Sequence, residues 1–211
     1  AGADRTARLW DAANGLPVQD FAGHTARVTA AGFSPDGTAV VTASADRTIR
    51  LWLCPDHPDL RVLRGHIGSI YAVAYSPRGD RIVSAGGADK TARIWDAATG
   101  KELRRLEGHS AGLIAAIFSP DGQQVATTGW DNTIRIWDAR AGVGGGAQVA
   151  ELDGHTDLVR SLAFSAAGDR LVSASSDGTI RIWDMVGGTQ RVIWSDPAVA
   201  MHAAVYSPSG D

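Results

Sequence analysis

Gly-His occurs four times in this chain, at Gly23-His24, Gly65-His66, Gly108-His109 and Gly154-His155, and each pair is followed by a tryptophan: Trp52, Trp95, Trp137 and Trp183. The His-to-Trp separations are 28, 29, 28 and 28 residues. A register that returns about every 42 residues means stacked supersecondary units, each burying one face against the next. It also marks the repeated His, Asp and Trp as structural before they are suspected of chemistry. A fifth tryptophan, Trp10, has no Gly-His before it.

Each unit reads alike from end to end. After Gly-His comes a run closing on an aromatic nine residues past the His: Phe33, Tyr75, Phe118 and Phe164. A turn follows, SPDG, SPRG, SPDG and SAAG, in which Pro presets φ in three of the four and Gly accepts positive φ. The next run is small or β-branched (AVVTAS, RIVSAG, QVATTG, RLVSAS). An Asp then opens a tight turn into DRTIRLW, DKTARIW, DNTIRIW and DGTIRIW, which alternate with period two. A weaker strand precedes each Gly-His, as at Val18–Phe21 and Leu103–Leu106. The sequence therefore predicts an all-β fold of four-stranded antiparallel meanders. Gly, Pro and Asp every 8–12 residues leave no room for helical periodicity.

Composition narrows the function classes. The net charge is −3, which gives no electrostatic case for nucleic acid. Hydrophobic residues make up 44%, enough for a core. No apolar run reaches the roughly 18 residues of a membrane helix, and no signal-peptide pattern opens the chain. Cys54 is the sole cysteine. Together these point to a soluble, cytoplasmic protein.

This pattern resembles the WD40-repeat β-propeller family, whose blades carry Gly-His and Trp-Asp signatures. The resemblance covers nearly the whole chain. It implies radially packed blades around a channel, with the strand before each Gly-His belonging to the previous blade. It also implies a hydrogen-bonded set in each blade: His24, Thr42, Asp46 and Trp52; His66, Ser84, Asp89 and Trp95, with one extra residue in Gly86-Gly87-Ala88; His109, Thr127, Asp131 and Trp137; His155, Ser173, Asp177 and Trp183. A neutral His donates to the Asp and accepts from the hydroxyl in such a set, and the buried indole finds its partner there. Positions three and five after each His are implied to reach the rim that binds partners: Arg27 and Thr29, Ser69 and Tyr71, Gly112 and Ile114, Leu158 and Arg160.

Other chemistries fare poorly against the residues. Four separated His–Asp pairs do not build one metal ligand set. Cys54 and His57 supply half a zinc site, and a free thiol is the better reading. No nucleophile-elbow serine is present. The insert Ala141–Ala147, in an 18-residue Trp-to-His gap where the others have 14, lacks the following helix of a phosphate loop and reads as a surface loop. Arg8, Arg50, Arg93, Arg135 and Arg181, two residues before each Trp, are expected to make blade-to-blade contacts with snorkelling stems. Asp11, Asp96, Asp138 and Asp184 read as turn formers. Trp130 breaks the repeat: the equivalent positions hold Ala3, Ala45, Ala88 and Ser176. It is either a partner-binding anchor or a cover for a neighbouring element.

Counted this way, the chain is one domain: a partial blade at 1–23, blades at about 24–65, 66–108, 109–154 and 155–196, and a partial blade at 197–211 with a first strand over 199–207. The family's common size makes it a segment of a propeller of about seven blades. The expected function is a non-enzymatic scaffold or regulatory module that binds a protein or another domain of its own chain. No cofactor, metal or small-molecule substrate is implied, and the candidate contact residues are Trp130, Arg27, Tyr71, Ile114, Leu158 and Arg160. The Ala-, Gly- and Arg-rich style with SPDG turns has a bacterial character, and by resemblance points to a larger multidomain signalling or defence protein. A propeller-face hydrolase and a nucleic-acid binder are the alternatives.

Overall fold

The structure, a computed structural model, describes residues 1–54, 61–140 and 145–207. His57, the rest of the loop after Cys54 and the start of the glycine-rich insert lie outside them. The described residues form strands and turns only. A two-stranded ribbon comes first, β1 (Thr6–Trp10) and β2 (Pro17–Ala22). Four four-stranded sheets follow in chain order. Blade 1 is β3 (Val28–Phe33), β4 (Ala39–Ser44), β5 (Thr48–Leu53) and β6 (Arg61–Arg64). Blade 2 is β7 (Ile70–Tyr75), β8 (Arg81–Gly86), β9 (Thr91–Asp96) and β10 (Glu102–Glu107). Blade 3 is β11 (Leu113–Phe118), β12 (Gln124–Gly129), β13 (Ile134–Asp138) and β14 (Gln148–Leu152). Blade 4 is β15 (Val159–Phe164), β16 (Arg170–Ser175), β17 (Thr179–Asp184) and β18 (Gln190–Ser195).

The core lies between blades. One cluster joins Ala7 and Phe21 of the ribbon to Val28, Val40 and Trp52. The next joins Val41 and Ile49 to Ile70, Ile82 and Trp95. A third joins Val83 and Ile94 to Leu113, Val125 and Trp137, and the last joins Ile134 and Ile136 to Val159, Leu171 and Trp183. Each junction thus buries one of the repeated tryptophans against the blade before it. This explains the second strands: covered on both faces, they carry apolar or small residues without alternation.

Two features depart from the sequence reading. Residues 199–207, predicted as a strand, form no ladder. They lie against blade 4 through Met201 N–H to the Ser175 carbonyl at 2.9 Å and Ala204 N–H to Ser161 Oγ at 3.4 Å, and among the described residues no second strand pairs with them. The repeated arginines are predicted to bridge blades, but Arg8, Arg93, Arg135 and Arg181 turn instead to the outer strand of their own sheet. Arg93 pairs with Asp89 at 3.2 Å and Glu102 at 2.6 Å, Arg135 with Glu151 at 3.1 Å, and Arg8 with Asp20 at 3.3 Å. Their ladder position on the third strand points them along the sheet. There Arg50, Arg93, Arg135 and Arg181 cover the glycine of the Gly-His that precedes them in the same repeat: a Cβ on Gly65 would stand 2.5 Å from Arg93 Nη1 and 3.3 Å from Trp95 Cη2.

Candidate functional site

The four hydrogen-bonded sets are present with nearly identical geometry. His24 Nδ1 lies 2.8 Å from Asp46 and Nε2 lies 2.8 Å from Thr42 Oγ1, while Trp52 Nε1 donates to the same oxygen at 2.8 Å. In blade 2, His66 is 2.7 Å from both Asp89 and Ser84, and Trp95 donates to Ser84 at 2.8 Å. His109 is 2.8 Å from Asp131 and Thr127, and Trp137 donates to Thr127 at 2.7 Å. His155 is 2.8 Å from Asp177 and 2.7 Å from Ser173, and Trp183 donates to Ser173 at 2.8 Å.

The proton order follows from the donors. The indole N–H can only donate, so the hydroxyl accepts it and gives its own proton to Nε2. The imidazole is then neutral, with Nδ1–H on the carboxylate. Burial holds His109 and His155 below the ordinary imidazole range, more than Asp131 and Asp177 raise them. Burial works against the Asp46 carboxylate, but bonds from Thr48, the Thr25 N–H and His24 outweigh it and hold it at about 2. Asp89, Asp131 and Asp177 are shifted the same way, each by hydrogen bonds that overcome desolvation. Buried, saturated and locked within single blades, these sets clamp the Gly-His loop to the turn between the second and third strands. They present no reactive group to solvent. Among the described residues, no three His, Cys, Asp or Glu side chains gather where they could hold a metal ion.

The exposed chemistry is on the rim that these sets clamp. In every blade the first strand bulges one residue after it begins, between Val28 and Ala30, Ile70 and Ala72, Leu113 and Ala115, and Val159 and Ser161. The residue skipped by the ladder is Thr29, Tyr71, Ile114 or Arg160. A bulge re-aims the side chain it leaves unpaired, and these are the positions five after each His. The sequence carries no sign of the bulge itself.

The skipped residues meet different fates. Tyr71 and Arg160 are exposed, Ile114 is half-buried, and the Thr29 hydroxyl bonds to the Ala43 and Ile70 carbonyls, linking blades 1 and 2. Three residues after the His, Arg27 is exposed, Ser69 and Leu158 are half-buried, and Gly112 is buried. The carbonyls at this position accept the N–H of Ala45, Gly87, Trp130 and Ser176 at 2.9–3.0 Å. In hydrogen bonding, then, Gly87 and not Ala88 is the counterpart of Trp130, and Ala88 is the extra residue of blade 2. Arg160 closes on that position in its own blade, donating to Ser176 Oγ at 2.6 Å.

Tyr71 and Trp130 come together. The rings are edge to face, with centroids 5.1 Å apart and planes at 83°. Glycines make the space: a Cβ on Gly87 would stand 2.5 Å from Tyr71 Cε2, and one on Gly112 would stand 2.6 Å from Trp130 Cζ3. Trp130 therefore does cover a neighbouring blade, yet 46% of it remains exposed, with Tyr71 at 37%. Ile67, beside His66 in the same blade as Tyr71, is 69% exposed.

Consecutive four-stranded antiparallel sheets, each locked by its own His–Asp–hydroxyl–Trp set and packed blade against blade, define a repeat protein of the β-propeller class. A family model described as WD domain, G-beta repeat matches residues 15–52, 58–96, 100–138 and 146–184, and the chain belongs to the WD40-repeat family. No curated protein matches it.

Proposed function

We propose that this chain is a non-enzymatic interaction module, docking a protein or another domain of its own chain on the rim that carries Tyr71 and Trp130. WD40 repeats generally mediate protein interactions or scaffolding. The observation that carries the reading here is the half-exposed edge-to-face pair on a glycine floor. Aromatics that are fixed in place yet open to solvent lose little rotamer freedom on binding and supply the residue types that anchor interfaces. Arg27 and Arg160 flank it on the rims of blades 1 and 4, with Ile114 and Leu158 as half-buried apolar neighbours. Membership of a larger multidomain signalling or defence protein, and a cytoplasmic setting, rest on resemblance and composition.

The test is affinity capture with Trp130→Ala beside the unaltered chain, read by quantitative mass spectrometry. Proteins retained by the unaltered chain and depleted at least about tenfold by the variant support this rim as the docking surface. Capture indifferent to both Trp130→Ala and Tyr71→Ala would remove it from consideration.

A further inference from the structure

At the opposite rim, where the first strands end, one side chain crosses between blades. Arg81 opens β8 in blade 2. Its guanidinium donates to the Ala139 carbonyl and, at 2.8 Å, to the Gly122 carbonyl of blade 3. Its central carbon stands 5.3 Å from the centroid of the Phe118 ring. Two carbonyls and an aromatic ring make a socket suited to a planar cation with several donors.

The repeat locates the same socket one blade earlier. Arg81 corresponds to Ala39, Phe118 to Tyr75, Gly122 to Gly79 and Ala139 to Ala97, counting from each His or Trp. The backbone frame agrees, for Ala97 N–H meets the Asp80 carbonyl at 2.9 Å as Ala139 N–H meets that of Gln123 at 2.8 Å. Ala39, Tyr75, Gly79 and Ala97 all line one cleft of about 340 Å³ between blades 1 and 2. A methyl group stands where blade 2 extends its guanidinium. Among the described residues, no backbone N–H takes the Gly79 or Ala97 carbonyl. Asp36 and Asp80 add two carboxylates to the lining against one cation, Arg78. Burial and the charge of Asp36 push the Tyr75 phenol up to about 12, so the ring stays neutral at physiological pH.

We propose that this cleft is a guanidinium-binding site, open to the side chain of an arginine or to a small guanidinium compound. The chain supplies the template itself: the socket that Arg81 fills from within at one junction is left for a ligand at the junction before it. The site is independent of the Tyr71–Trp130 rim, because β7 begins beside Tyr71 and ends at Tyr75, nearly a full strand length away.

The experiment titrates the 211-residue chain with N-acetylarginine amide, its lysine and citrulline counterparts, and the peptide Gly-Gly-Arg-Gly-Gly, followed by amide NMR shifts. The expected result is saturable binding of the arginine amide, with shifts centred on Gly79, Asp80, Ala97 and Ala98. The lysine and citrulline compounds should bind at least about tenfold more weakly, having lost the planar fork or the charge. Peptide binding tighter than that of the amide assigns the site to a polypeptide arginine; equal or weaker binding assigns it to a small molecule. Ala39→Arg should abolish binding, because the new side chain occupies the socket, and should raise the melting temperature by about 2–4 °C. Shifts centred elsewhere, or lysine binding equal to arginine, overturn the proposal on the unaltered chain alone, and undiminished binding to folded Ala39→Arg does so independently.

Discussion

The Tyr71 ring meets the Trp130 indole edge-on across the junction of blades 2 and 3, with centroids 5.1 Å apart. Two departures from the repeat, the extra residue with its glycines in blade 2 and the lone Trp in blade 3, are therefore one feature. An edge-to-face pair contributes about 0.5–1.5 kcal/mol beyond its area. Trp130→Ala should cost about that much plus the area term of a half-buried ring, about 1–2 kcal/mol in all, in urea denaturation. Trp95→Ala, which empties a fully buried site, should cost about 3–5 kcal/mol. Equal losses would show that Trp130 is a core residue and not a surface anchor.

The hydroxyl at the centre of each set can be tested by internal exchange. Ser84 and Ser173 do the work of Thr42 and Thr127, so Ser84→Thr should shift stability by less than about 1 kcal/mol. Ser84→Ala removes the acceptor for Trp95 and the donor to His66 and should cost about 1–3 kcal/mol. Similar values for the two variants would argue that the hydroxyl contributes only volume.

Acid should unfold the chain in two stages. His109 and His155 are held below their ordinary value of 6.5, so as pH falls through that value the unfolded chain takes up protons first and stability begins to decline. Asp46, at about 2 when folded against an ordinary 3.8, stabilises fully above that ordinary value, and its contribution drains away as pH falls towards 2. Asp89, Asp131 and Asp177 act in the same sense. Urea midpoints should fall modestly from pH 7 to 5 and steeply from 4 to 2.5; a flat profile contradicts the neutral-His, ionised-Asp assignment.

The residue after each turn Asp sits at positive φ: Arg47 at 72°, Lys90 at 57°, Asn132 at 63° and Gly178 at 80°. Only blade 4 uses glycine there. Arg47→Gly and Lys90→Gly should each stabilise the chain by about 1 kcal/mol, since a left-handed non-glycine residue costs about 1–2 kcal/mol. Gly178→Ala should destabilise it, because its Cβ would stand 2.1 Å from the Asp196 carbonyl oxygen. Thermal melts of the three variants decide the matter.

The strands are legible because period-two runs and turn residues recur in step, whereas the hydrogen-bonded sets around Trp52 and its three counterparts come from the resemblance to the WD40 family. The remaining features depend on geometry that residue identity does not encode. The bulge at Tyr71 leaves no compositional mark, because residues as different as Thr29, Ile114 and Arg160 occupy it. The within-blade turn of Arg93 depends on Glu102, which lies in the following family repeat, residues 100–138, but in the same sheet in space. The strand predicted over 199–207 has the right residues, but among the described residues no strand pairs with it. The Arg81 socket emerges only when positions are compared across a junction, since its parts are up to 58 residues apart.

Each His–Asp–hydroxyl–Trp set closes within about thirty consecutive residues, so a copied stretch of gene brings its own hydrogen-bonded latch and asks of its new neighbours only an apolar face to pack on. Arg81 obeys the opposite rule. Its bonds end on another blade, so duplication or exchange can orphan either half. The junctions, and not the blades, are therefore where otherwise interchangeable copies acquire individuality.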